Sequence, residues 1–143
     1  MKKRILMSAA LVITLATLTG CNSSKTKSLT CTQTSSDGGF STESKWNYKL
    51  KDNRVSTATL TTTITAEGDY AQKVEDFSND AKKAADTYNK VKGLSAKVDQ
   101  KSNKIILTVT FNTDEMDEED IAAYNLNESS ESIPEVMTGY TCK

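Results

Sequence analysis

The sequence predicts an α+β domain of two layers, with an antiparallel β-sheet of about five strands and one long amphipathic helix packed on its apolar face. Residues 29–65 and 96–111 alternate apolar and polar side chains, the period of two that marks strands with one solvated face. Between them, apolar residues recur at steps of three and four from Tyr70 to Val91, the period of an amphipathic helix. A one-sided sheet and a one-sided helix each need an apolar partner, so packing one on the other is the economical arrangement.

The first three predicted strands form a meander. Leu29–Thr34 is followed by Asp37-Gly38-Gly39, which suits a tight hairpin because glycine readily adopts positive φ. Arg54–Thr65 has a threonine at every second position from Thr57 onward, and β-branched side chains suit a pleated surface while their hydroxyls tolerate water. In the second strand, Phe40–Leu50, the side chains expected on one apolar face are Phe40, Trp46, Tyr48 and Leu50.

The second half of the chain supplies the helix and the returning strands. Asp69 is the expected N-cap of a helix of about six turns that ends before Gly93. Two strands follow, around Ala96 and Val98 and over Lys104–Phe111, and then a short acidic helix from Thr113 to Tyr124. One further helical turn is expected near Ile133–Met137, with Pro134 at its start.

The first 21 residues have the pattern of an export signal with a lipid attachment site. Lys2, Lys3 and Arg4 precede an apolar stretch, Ile5–Leu18, that is shorter than the roughly 20 residues a membrane helix needs. Leu18-Thr19-Gly20-Cys21 then resembles the lipobox of bacterial lipoproteins. The resemblance implies cleavage before Cys21 and a diacylglyceryl thioether on its sulfur. An ordinary secretory signal and an uncleaved membrane helix are the alternatives.

These features divide the chain into three parts. Residues 1–20 are the expected signal peptide, residues 21–27 the lipidated cysteine and a polar, flexible tether, and residues 28–143 a single α+β domain. Two acyl chains bury enough methylene groups to anchor a soluble domain stably. We therefore expect an extracytoplasmic protein that is held at the bacterial cell membrane by the lipid on Cys21.

The number of cysteines agrees with this expected location. Three cysteines are an odd number for an exported chain, and lipidation of Cys21 leaves Cys31 and Cys142 as a pair. An export signal implies a compartment that permits disulfides, so we expect a bridge between them. The alternative is two free thiols, one buried and one on a frayed C-terminal tail.

Composition argues against catalysis and against nucleic-acid binding. The chain has no histidine, which removes the commonest general base and the commonest transition-metal ligand. No nucleophile elbow, P-loop or dinucleotide-binding motif occurs. Lysine and arginine number 18 against 19 acidic residues, so the chain has no basic excess for nucleic acid. We expect that the protein is not an enzyme and has no cofactor, no metal site and no catalytic residue.

Three groups of side chains remain as candidate binding features, each with a structural alternative that the sequence favours. The acidic run Asp114–Asp120 lacks the spacing of a calcium loop, and acids are typical of the first turn of a helix. The threonine face could meet a carbohydrate, a peptidoglycan strand or a partner sheet, although threonine is also a common solvent-facing strand residue. Phe40, Trp46 and Tyr48 could stack on a ligand, but they lie on the face expected to meet the helix.

The order of elements resembles the YehR-like group of small bacterial lipoproteins. The resemblance lies in the lipobox Leu18–Cys21, the threonine strand Thr57–Thr65 and the helix Tyr70–Val91. It implies a fold and no active site, since the role of the group is uncharacterised.

The sequence thus predicts a non-catalytic lipoprotein that binds an unknown protein or another envelope component through its sheet surface or its loops. The alternative is a structural or assembly subunit of an envelope protein complex, joined through an edge strand or the threonine face.

Overall fold

Six strands form one antiparallel sheet in the computed structural model, which describes residues 25–143. Their order across the sheet is β4-β5-β3-β2-β1-β6. The α+β class is confirmed, but the sheet has six strands rather than about five. The sixth has only two residues, too few to produce a periodic pattern in the sequence. The strands are β1 (Thr26–Asp37), β2 (Phe40–Lys51), β3 (Arg54–Ala66), β4 (Leu94–Lys101), β5 (Lys104–Asn112) and β6 (Thr141–Cys142).

The first strand is longer than the sequence predicts. It begins at Thr26 rather than Leu29, so Thr26 and Lys27, which were expected in the tether, pair with Lys51 and Leu50 of β2. Polar residues at an edge of the sheet can pair through their backbone without any apolar signal. The sheet therefore starts only five residues after Cys21, which itself lies outside the described residues.

The long helical segment has 21 residues but begins as a 3₁₀-helix (Gly68–Lys73) that continues into α1 (Val74–Tyr88). Asp69 is not the N-cap, because it lies within the first 3₁₀ turn and Glu67 precedes the helix in an extended conformation. Asn89 follows α1 and holds its end to β4. The Asn89 amide nitrogen donates to the Ala96 carbonyl at 3.0 Å, and its amide oxygen accepts from the Ala96 N–H at 2.7 Å.

The apolar face of the sheet is covered from two directions. Helix α1 packs chiefly on β4 and β5, with Val74 in a cluster with Ala66 and Ile105. The sequence predicts that this helix covers the apolar face, but it covers only the part formed by β4 and β5. The second cover is the chain after β5, which contains α2 (Glu118–Ala123) and α3 (Ile133–Val136). This chain adds three buried side chains to the main core, namely Met116, Leu126 and Ile133.

Strand register fixes the composition of the opposite, open face. Residues directly opposite each other in neighbouring strands point to the same side of a sheet. Thr59 pairs with Thr110 of β5 and Asn47 of β2, and Thr61 pairs with Thr108 and Lys45. The open face is therefore rich in threonine.

The two ends of the sheet differ, and we name them for what lies there. The hairpin pole contains the β1–β2 turn at Gly38-Gly39, the β4–β5 turn and the start of the 3₁₀-helix. The N-terminal pole contains Lys25, the β2–β3 turn and α2. Lys25 and Asp52 are joined there by a backbone hydrogen bond of 3.1 Å. At about 3.3 Å per residue, the two poles are roughly 36 Å apart along β1.

Candidate functional site

A disulfide joins Cys31 of β1 to Cys142 of β6, with an S–S distance of 2.02 Å. The two residues are direct partners in the ladder. Thr30 and Lys143 beside them exchange both backbone hydrogen bonds, which makes Cys31 and Cys142 a pair without ladder hydrogen bonds. Side chains are closest in such pairs, so this is a favourable position for a cross-strand bridge.

Only the second half of the acidic run lies at the start of a helix, because Thr113, Asp114 and Glu115 form a turn and α2 begins five residues later than the sequence predicts. Asp117 precedes α2, and Glu118, Glu119 and Asp120 form its first turn, where carboxylates interact favourably with the helix dipole. Within residues 25–143, no three histidine, cysteine or acidic side chains are close enough together to hold a metal ion.

The aromatic trio suggested by the sequence is divided between two places. Trp46 stacks on Tyr48 at a centroid distance of 5.5 Å and on Phe111 at 5.4 Å, within the main core. Phe40 lies at the hairpin pole instead. No common stacking platform exists for these three rings.

Two tyrosines that pack in the main core have raised pKa values. Burial, and to a lesser extent Tyr140, raises the pKa of Tyr48 to about 12, and its hydroxyl donates to Met137 Sδ at 3.5 Å. Burial also raises the pKa of Tyr124, with smaller contributions from Tyr88 and Asp120.

A cleft of about 740 Å³ opens at the N-terminal pole, between the β2–β3 turn and α2. Its charges are mixed, since Lys51 and Arg54 stand with Asp52, Asp114 and Glu118 around an apolar floor. The floor and its edge are formed by Val55, Ile121, Ala122 and Leu126.

A polar network braces the region beside this cleft. Asn53 Nδ2 donates to Glu131 at 2.8 Å, and the Ser130 hydroxyl donates to Asn53 Oδ1 at 2.6 Å. Hydrogen bonds, with that from Asn53 contributing most, lower the pKa of Glu131 to about 2. The β2–β3 turn is thereby tied to the chain that precedes α3.

A smaller pocket of about 260 Å³ lies at the hairpin pole. On the open face, the pocket is lined by two rows of residues that are paired across neighbouring strands. The rows are Thr34–Glu43–Thr63 and Ser36–Ser41–Thr65–Lys104. Among the described residues, none of these seven side chains makes a hydrogen bond or an ion pair with another protein group. The pocket therefore presents hydroxyls, one carboxylate and one ammonium group to solvent.

An exposed aromatic cluster adjoins this pocket across the β1–β2 turn. The Phe40 ring meets Tyr70 at a centroid distance of 5.2 Å and Phe77 at 5.0 Å, both edge to face. Tyr70 and Phe77 are each 39% exposed. A Cβ atom at Gly39 would overlap the Tyr70 ring, so glycine is needed for this contact.

The periodicity predicts one apolar stripe that contains Tyr70, Val74 and Phe77. Val74 is buried as predicted, whereas Tyr70 and Phe77 are exposed and the other buried positions of α1 are Ser78 and Ala85. Ser78 and Ala85 are small residues seven positions apart, and small side chains let a helix approach a sheet closely. The larger aromatic residues dominate any hydropathy pattern and hide these small ones.

Comparison with known proteins gives a fold likeness. No protein-family model matches the chain, and no curated protein matches it. The NMR structure of a protein from Streptococcus pneumoniae TIGR4 has a similar fold, with a TM-score of 0.55 and 18% sequence identity over 100% of this chain and 97% of that one. Within residues 25–143, no helix is both long enough and apolar enough to cross a membrane.

Proposed function

We propose that this chain is an extracytoplasmic lipoprotein anchored to the bacterial cell membrane by lipid on Cys21, with a non-catalytic domain that binds an envelope component. The observation that carries the proposal is the sequence Leu18-Thr19-Gly20-Cys21, which directly follows a cationic start and a short apolar stretch.

The cysteine pairing supports this proposal. Cys31 and Cys142 are joined to each other, so Cys21 is the cysteine left for a lipid. A bridge of this kind persists in an oxidising compartment outside the cytoplasm.

The position of the sheet also fits an anchored domain. Four residues separate Cys21 from Thr26, where β1 begins, and the five steps between them span at most about 18 Å. The N-terminal pole would therefore lie close to the bilayer, and the hairpin pole would face away from it or along it.

Binding without catalysis is favoured by the kinds of side chain that the two pockets offer. Hydroxyls, carboxylates and ammonium groups line them, and the chain has no histidine to activate a serine or threonine. Such groups can hold a polar ligand through hydrogen bonds.

A second candidate function, assembly into an envelope complex, has one observation in its favour. Strand β6 and Lys143 pair with β1 only at Thr30, Cys31 and Thr32. Among the described residues, the rest of that outer edge of β1 pairs with no strand, so a partner could add one there.

Cell fractionation tests the proposed location of the protein. The full-length chain, expressed in a bacterial host, should partition into the detergent phase and be digested by protease added outside the cytoplasmic membrane. Recovery in the aqueous cytoplasmic fraction, protected from protease until lysis, would contradict the proposal. Crosslinking in the same cells separates the two functions, because assembly predicts one protein partner in stoichiometric amount.

A further inference from the structure

We propose that the hairpin pole is a binding site for a polysaccharide chain. The inference deepens the function proposed above and rests on it for where the ligand is met, but the chemistry of recognition is independent of the anchor. Two features carry it, the aromatic cluster of Phe40, Tyr70 and Phe77 and the hydroxyl-lined pocket on the other side of the same turn.

The aromatic cluster supplies an apolar surface of the kind that sugars use. One side of a pyranose ring is lined by C–H groups and packs well on an aromatic face. The cluster contains three of the nine aromatic residues of the chain, yet Tyr70 and Phe77 each keep 39% of their surface in contact with solvent. Exposed aromatic side chains grouped together are characteristic of recognition sites.

The Tyr70 ring is fixed in place before any ligand arrives. It lies against Gly39 and edge to face with Phe40, while Lys73 Nζ lies 5.3 Å from its centroid. A ring held in this way loses little freedom on binding, which favours affinity.

The pocket supplies the polar half of the site. Sugar hydroxyls both donate and accept hydrogen bonds, and serine and threonine do the same. Glu43 can accept from a hydroxyl or an amide N–H, and Lys104 can donate to a ring or carboxylate oxygen. These groups have no protein partner among residues 25–143, so binding a sugar would break no internal hydrogen bond.

The arrangement favours a polymer over a single sugar. Phe40 and Ser41 are neighbours in β2 and therefore point to opposite faces of the sheet. The Glu67 N–H donates to the Gly39 carbonyl at 2.8 Å and keeps the helix start against this turn. A ligand that contacts both the rings and the hydroxyls must pass around the hairpin pole from one face of the sheet to the other, which takes several linked sugar units.

The charge of the pocket argues against a strongly ionic ligand. The charges of Glu43 and Lys104 cancel, and the other five side chains in the two rows of paired residues are neutral hydroxyls. A nucleic acid or a polyanion would require a basic excess that is absent from these groups.

Co-sedimentation tests the proposal with the full-length chain in detergent. The probes are peptidoglycan sacculi stripped of protein and anionic polymers, and insoluble chitin and glucan. We expect the wild type to sediment with at least one of them. Replacing both Tyr70→Ala and Phe77→Ala, or both Glu43→Gln and Lys104→Gln, should weaken binding by about tenfold or more.

Matched controls separate the site from general surface effects. Val136→Ala removes an apolar side chain that is 45% exposed in α3, outside the hairpin pole, and Lys49→Gln removes a lysine of β2 from the N-terminal half of the open face. Both should bind as the wild type does. Thermal unfolding of each variant shows whether it is folded.

A footprint on the wild type needs no variant. Bound polysaccharide should protect Lys73 and Lys104 from acetylation and leave Lys49 and Lys51 reactive. The proposal is overturned if the wild type binds none of the three polymers or binds only sacculi from which protein has not been removed. It is also overturned if the hairpin-pole variants bind as well as the wild type, or if Lys73 and Lys104 stay reactive in the bound state. Palmitate labelling reports the anchor separately, so loss of labelling with retained binding would overturn the anchor alone.

Discussion

Ser78 shows how one small side chain sets the position of the helix. It is 1% exposed, faces the sheet from α1, and its hydroxyl makes no hydrogen bond with another described residue. A buried hydroxyl without a partner costs stability, whereas its small size lets the helix approach β4 and β5 closely.

Replacing Ser78→Ala should therefore stabilise the protein. We expect the free energy of unfolding to rise by about 1 kcal/mol, because the unsatisfied hydroxyl is removed and alanine is the better helix former. Urea unfolding measures this. Asn79→Ala, at the exposed neighbouring position, is the control and should give about half the gain or less. A loss of stability in Ser78→Ala would show that its hydroxyl has a partner.

Tyr48 gives stability a dependence on alkaline pH. Its folded pKa of about 12 lies above the ordinary tyrosine value of 10.0, so the folded state retains a proton that the unfolded state releases. The stabilisation is complete below pH 10 and is lost as the pH rises toward 12, by about 2–3 kcal/mol in all. Tyr48→Phe should lose less stability over this range. An equal loss of unfolding free energy in the two proteins as the pH rises would contradict the raised pKa of Tyr48.

At the scale of whole elements, the sequence predicts what is periodic. The β1–β2–β3 meander and β5 follow from alternation, and the long helix follows from steps of three and four. The orientation of that helix could not be predicted, because Phe77 outweighs Ser78 in any hydropathy pattern while packing distance favours Ser78. Strand β6 could not be predicted either, since two residues beside a cysteine have no period.

Gly93 lies between α1 and β4, where its backbone conformation and its close neighbours both exclude a side chain. Its φ is +81°, and a Cβ there would lie 2.5 Å from Met116 Cγ and 2.8 Å from the Asn112 carbonyl oxygen. Gly93→Ala should lower the free energy of unfolding by about 2 kcal/mol or more. Gly68→Ala is the matched control, because Gly68 also has a positive φ of +55° but open space around it, and it should cost about 1 kcal/mol. Equal losses in the two variants would contradict the steric explanation.

The disulfide holds the C-terminus to the sheet and closes a loop across 111 residues of sequence. Replacing Cys31→Ala and Cys142→Ala together should lower the free energy of unfolding by about 2–5 kcal/mol. The native bridge can be checked directly by mass spectrometry, since alkylation without reductant should leave both cysteines unmodified. Alkylation of both would show two free thiols instead.

At the scale of the whole molecule, we propose different roles for the two poles, membrane anchoring near one and ligand binding at the other. The N-terminal pole begins five residues after the cysteine proposed to bear lipid, and the hairpin pole holds the exposed rings and hydroxyls. The threonine face was foreseen from the sequence. The aromatic part of the site was not, because its rings come from the start of β2, the 3₁₀-helix and α1, which are brought together only by folding.

Lipid on Cys21 is the claim on which the account depends most, and metabolic labelling with a palmitate analogue tests it most directly. The wild-type chain should be labelled and should lack residues 1–20, and Cys21→Ala should be unlabelled, because the thioether needs that sulfur. A wild-type product that is unlabelled and retains a free thiol at Cys21, or a Cys21→Ala variant that is still labelled, would contradict it.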